Sequence, residues 1–244
     1  MKTRHMSAGL LVAALAPGLN ACAGAPFARD FPLADCAFVT ESQNLYFPLQ
    51  IGSTSHLDNA ACVAAGNCDT LEKVIITVLN ETHDITMAID GVMRTIPTRV
   101  VEERETKNGE LVEVSRNYFA QCSGTQDVYY FGEAVDIYEN GQIVDNHGAW
   151  EAGVDGARPG LVMPGGAFRP GARYYQEFAQ DVAMDRAENV RAGLTVEVPA
   201  GTFSDCVKIE ETTPLEPGHV SAKFYCPGVG IARDADAVLT QIVE

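Results

Sequence analysis

The chain has 244 residues, 17 Lys+Arg against 33 Asp+Glu, and a formal net charge of −16. This balance argues against a nucleic-acid-binding surface, which needs clustered cations, and against electrostatic docking on anionic lipid. At 46% hydrophobic and 20% charged, the composition is that of a globular protein with a real core.

Lys2 and Arg4 precede an apolar run, Ala8 to Ala16, that Pro17-Gly18 breaks. The run is far short of the roughly 20 residues that span a bilayer, but it has the length of a secretory h-region. Leu19-Asn20-Ala21-Cys22 follows and resembles a bacterial lipobox, with an aliphatic residue at −3, a small one at −1, and Cys22 as the lipidated residue. Plain secretion, with cleavage after Ala21 or just beyond, is the alternative. The expected organisation is a signal peptide over 1–21, a tether over 22–34 and one β-rich domain over 35–244. The expected location is the bacterial cell envelope, held to a membrane by the lipid alone; a soluble periplasmic or secreted protein is the alternative. Removing 1–21 takes away Lys2 and Arg4 and no acid, which moves the net charge from −16 to −18.

Past the tether, Tyr46–Leu49 reads as the start of the globular part, and Cys62 and Cys68 flank a small loop. From Lys73 the pattern is β. Lys73–Asn80 is rich in β-branched residues. Thr82–Asp90 leads into the turn dipeptide Asp90-Gly91, and Val92–Glu103 follows. Asn108-Gly109 and Asn140-Gly141 are the strongest short-range hairpin signals available, so an antiparallel meander is expected through Val128–Tyr138 and Gln142–Trp150. Ala152–Ala172, rich in Gly and Pro, reads as a long ordered loop or a crossover. Arg173–Ala179 resumes a strand. Asp181–Ala192 fits a helical face closed by Gly193, or a strand. Leu194–Val198, Phe203–Glu211, His219–Tyr225 and Val238–Val243 complete the β set, with Pro214–Gly218 as a further hairpin turn. The expected fold is mainly β with little helix: an antiparallel meander forming a sandwich or a curved, partly open barrel.

Seven cysteines stand at 22, 36, 62, 68, 122, 206 and 226. Setting Cys22 aside leaves six, an even number suited to an oxidising compartment. Cys206 and Cys226 lie symmetrically about Glu216, so the hairpin through Pro214–Gly218 sets them opposite each other. Cys62 and Cys68 pair by proximity, which leaves Cys36 with Cys122.

Several strings occur together: Tyr129-Tyr130-Phe131-Gly132-Glu133, Trp150-Glu151-Ala152-Gly153-Val154-Asp155-Gly156-Ala157, Leu215-Glu216-Pro217-Gly218 and Pro227-Gly228-Val229-Gly230. In combination they resemble a family of uncharacterised exported bacterial proteins, many of them lipoproteins. The resemblance covers about Tyr46 to Asp234 and implies export and a β-rich fold, with no mechanism. Relatives carry an acid where this chain has Cys122 and Trp where it has Tyr129, a departure that counts against a metal at that position.

No nucleophile elbow, zincin motif, phosphate loop or dinucleotide fingerprint occurs. His56, His83, His147 and His219 are scattered, and Asp155-Gly156 lacks the oxygen ligands of a calcium loop, since Ala157 and Pro159 follow. No cofactor and no metal are expected. The densest acids, Glu133, Asp136, Glu151 and Asp155, lie among Tyr129, Tyr130, Phe131, Tyr138 and Trp150. A cleft lined by Phe131, Tyr138, Trp150 and Tyr175 is therefore expected under the Gly-rich segment, with Glu151 and Asp155 at its mouth. The leading function is a non-enzymatic envelope module that binds an apolar or aromatic ligand, a glycan, or a partner protein that the sequence does not identify. The alternative is a glycoside-type hydrolase using a carboxylate pair among Glu133, Glu151, Asp155 and Glu177.

Overall fold

The computed structural model describes residues 25–244. Cys22 and the signal segment lie outside the described residues. After a 3-10 turn at Leu33–Asp35, the strands are β1 (Phe38–Val39), β2 (Thr54–Asp58), β3 (Glu72–Ile89), β4 (Val92–Lys107), β5 (Glu110–Cys122), β6 (Val128–Glu139), β7 (Gln142–Asp145) and β8 (Trp150–Glu151). They continue with β9 (Arg158–Met163), β10 (Arg173–Tyr175), β11 (Glu177–Phe178), β12 (Arg186–Val198), β13 (Gly201–Thr212), β14 (Ser221–Cys226), β15 (Gly230–Asp234) and β16 (Ala237–Val243). A short helix, α1 (Ala60–Ala64), leaves β2. No helix among the described residues is long and apolar enough to cross a membrane.

The expected meander is present and antiparallel throughout. Asp90-Gly91, Asn108-Gly109 and Asn140-Gly141 all have positive φ at both residues, the conformation of tight turns that match strand twist. The two β segments expected before Asp90 are one strand, β3, interrupted by a bulge between Val78 and Thr82. The bulge shifts the inward positions from Val74, Ile76 and Val78, which line the cavity, to the buried Ile85, Met87 and Ile89. Buried Arg99 bridges it, donating to the Leu79 and Glu81 carbonyls at 3.3 and 3.1 Å.

One long sheet runs β10-β12-β13-β14-β15-β16-β2-β3-β4-β5-β6-β9-β11. β10 bonds to β12 at one edge and β11 to β9 at the other, and only Gln176 separates β10 from β11 in the chain. Segment 173–178 thus brings both edges together, and the sheet nearly closes into a barrel. Gly160 makes this seam possible: a Cβ there would lie 2.3 Å from the Gln176 carbonyl carbon. Ala152–Ala172 is therefore not a long loop, since β9 within it forms wall. Asp181–Ala192 resolves to a connection followed by strand; Gly193, at φ 69, sits in an irregular stretch of the β12–β13 ladder rather than at a helix end.

Residues 25–34 also depart from a free tether. Ala28 bridges Tyr174, and the Phe27 ring lies under the guanidinium groups of Arg173 and Arg186 at 4.1 and 4.6 Å. Phe31, Leu33 and Phe38 cover a core that holds Ile96, Val100, Tyr118 and Phe131. A second core, with Leu49, Val101, Phe119, Val207 and Tyr225, fills one end of the barrel.

All three expected disulfides form: Cys36–Cys122, Cys62–Cys68 and Cys206–Cys226. The register that pairs Val207 with Tyr225 carries one step further to place Cys206 opposite Cys226, at 4.2 Å between Cα atoms.

Candidate functional site

The barrel encloses a cavity of about 780 Å³. Its chemistry follows from strand alternation, which sends every second side chain inward. On β4, Val101 and then Glu103 face in; on β5, Phe119 and Asn117; on β14, Tyr225 and Lys223; on β13, Val207, Ile209 and then Glu211. Along each strand the inward face changes from apolar to polar in the same direction. The result is an apolar floor with a polar collar above it. Phe47 and Leu49 seal the floor. Asn44 fixes their segment: its Nδ2 donates to the Gln126 and Pro164 carbonyls, both at 3.0 Å, and its Oδ1 accepts from the Tyr46 and Phe47 amides at 2.9 and 3.1 Å.

The collar is acidic. Lys223 Nζ lies 2.9 Å from Glu211 Oε2 and 3.3 Å from Asp234 Oδ2. Burial works against its charge, yet Glu211 and Asp234 hold the ammonium well above the ordinary lysine range. Gln176 Nε2 donates to Glu211 Oε1 at 2.8 Å, which ties the seam to this network. Among the described residues, Glu103, Glu133 and Glu177 form no ion pair with a basic side chain. Burial pushes Glu103 up to about 7 against the pull of Lys223, and pushes Glu133 up to about 8 with help from the charges of Glu103 and Glu113. Both lie deep within the protein while keeping some surface open to the cavity. Glu177 is 5% exposed, and its Oε1 accepts the Asp185 amide at 2.8 Å. Burial, then the Asp185 charge, raises it well above the usual carboxylate range.

Of the carboxylates singled out from sequence, Glu133 and Glu177 meet in this lumen; Glu151 and Asp155 do not. Glu151 pairs with His83 at 3.0 Å, with both side chains more than a third exposed, and Asp155 occupies an exposed turn at φ 48. The aromatic cleft does not form, because none of its four residues lines the lumen. Phe131 is fully buried edge-on against Phe38. Tyr175 packs between Phe27 and Phe178, and Tyr138 pairs with Ile143 on the β6–β7 ribbon. Trp150 is 7% exposed, stands opposite Glu133 in register, and meets Tyr130 edge-on at 5.3 Å. The Gly-rich segment after it packs down instead of arching over a cleft: a Cβ on Gly153 would lie 2.8 Å from Met87 Cβ.

Sequence reasoning missed Glu103, Asp185, Glu211, Lys223 and Asp234. A signal existed for three of them. Glu103 shares its face with Val101, Glu211 with Ile209, and Lys223 with Tyr225, so each is a charge on the buried parity of its strand. His147, expected to be a surface histidine, is exposed at the cavity mouth. Cys62, Cys68 and Asp236 converge within 4.8 Å, but the two sulfurs are bonded to each other and offer no thiolate pair to a metal. No protein-family model, curated protein or solved structure matches the chain.

Proposed function

We propose that the protein is a non-enzymatic binding module of the bacterial cell envelope, exported and anchored through Cys22, whose barrel lumen receives a small ligand with an apolar or aromatic portion. The observation that carries this reading is the cavity. Its volume falls in the range of small-molecule sites, and its apolar floor and few convergent polar groups have the chemistry of one. A barrel built only for stability would fill this space with side chains. The three disulfides support an oxidising, exported location.

Native mass spectrometry of the protein isolated from an envelope fraction tests the reading. The expected spectrum shows a diacylglycerol mass on Cys22 and a non-covalent small molecule that leaves on denaturation. Polypeptide mass alone, with no uptake of an uncharged apolar probe, would contradict it. Glu133 and Glu177 facing one lumen keep glycoside hydrolysis as the second reading. That chemistry needs one carboxylate ionised beside a protonated one, and burial drives both toward the protonated form. Steady release of nitrophenol from a nitrophenyl glycoside, lost in Glu133→Gln, would promote it.

A further inference from the structure

We infer that the lumen selects an amphiphilic organic cation, its ammonium or amidinium group in the carboxylate collar and its apolar body on the floor. The inference rests on the lumen-binding reading above and adds the chemical class of the ligand.

The charge inventory of the cavity wall is lopsided. Lys223 is held by Glu211 and Asp234 together, Lys107 at the mouth is held by Glu72 at 3.2 Å, and Lys73 is exposed at the rim. Among the described residues, Glu133 and Glu177 have no cation beside them, and Glu103 feels only the already paired Lys223. Glu177 is the most telling of the three. It is 95% buried and lines the cavity, and one oxygen takes the Asp185 amide while the other has no donor among the described residues. A buried carboxylate left this way either keeps its proton or waits for a positive partner.

The three ligand classes then separate on elementary grounds. An anionic amphiphile would bring a further negative charge to a collar whose acids already hold protons against burial and their mutual repulsion. A neutral apolar molecule would fill the floor and leave the acids desolvated without a charged partner. A cation supplies charge-assisted hydrogen bonds to the collar while its body occupies the floor. The ordering of the site is fixed as well, since Val101 lies below Glu103 and Phe119 below Asn117 on their strands. Head and body thus have assigned places.

Three chain-matched probes test this: decylammonium, decanol and decanoate, titrated calorimetrically into the disulfide-intact protein at pH 7 below their micellar concentrations. Decylammonium should bind at least about tenfold tighter than decanol, with decanoate weakest. Glu133→Gln combined with Glu177→Gln should abolish that advantage; Glu103→Gln, which should reduce it, serves if the double variant does not fold by circular dichroism. Equal binding of decanol and decylammonium would overturn the cationic class and leave the lumen reading standing, as would tighter binding of decanoate. Failure of all three to bind the folded protein would overturn both.

Discussion

Replacing Glu133 with Gln should change how stability depends on pH more than stability itself at acidic pH. In the unfolded chain this carboxyl titrates near 4.5; in the folded protein it titrates near 8. Between those values the native state holds a proton that the unfolded state releases. Its contribution is therefore fully present below pH 4.5 and is lost as pH rises toward 8. At about 1.4 kcal/mol per pH unit the whole interval would reach roughly 5 kcal/mol. A carboxylate that faces a cavity is screened more than one sealed in the core, which brings the expected loss to about 2 kcal/mol, or about 4–8 °C in Tm for a chain of this size. Glu103 adds a narrower window that closes near pH 7. Thermal unfolding followed by circular dichroism at pH 5, 7 and 9, at constant ionic strength, reads both. The wild type should melt lower at each step, and Glu133→Gln should flatten the decline by the stated amount. Parallel declines in the two proteins would refute the burial of Glu133 in a lumen.

Gly160→Ala should cost more than about 2 kcal/mol in urea unfolding, because the added carbon meets the Gln176 backbone at the barrel seam; Gly166→Ala, in open space, should cost little. Equal midpoints for the two variants would show that the seam is not closely packed. Replacing Cys36 and Cys122 with Ser, 86 residues apart, should destabilise by about 4–5 kcal/mol, and replacing Cys62 and Cys68, six apart, by about 2 kcal/mol, on loop-closure entropy. Denaturant midpoints ranked in the opposite order would contradict that assignment. Trp150 should emit in the blue and resist iodide quenching, since it is buried against Tyr130 and does not line the lumen; a solvent-like spectrum would place it elsewhere.

The features of this fold that were legible in the sequence are those decided within a few residues. Asn108-Gly109 announces its hairpin because both residues must take positive φ. Cys206 and Cys226 announce their bond because an antiparallel register places symmetric positions opposite each other. What stayed hidden depends on residues distant in sequence. The barrel seam needs Gln176 to separate the short strands β10 and β11, and Gly160 to let β9 approach them, and neither leaves a local pattern. The aromatic cleft failed because aromatic density does not say which face a residue takes. Strand alternation sends Tyr130 to the lumen and its neighbours Tyr129 and Phe131 to the other core. The lumen acids were hidden because a charged residue near a strand end reads as solvated, unless the parity it shares with Val101, Ile209 or Tyr225 is followed past the apolar stretch.

The central claim is that small molecules enter the barrel between floor and collar. Ser55 on β2 faces that space, and Ser55→Phe would place a ring in it. Fluorescence titration of both proteins with the uncharged probe N-phenyl-1-naphthylamine tests the claim directly. The wild type should show saturable enhancement at one probe per protein, and Ser55→Phe, still folded, should lose it. Enhancement that is absent in the wild type, or unchanged in Ser55→Phe, would contradict the lumen as the binding site.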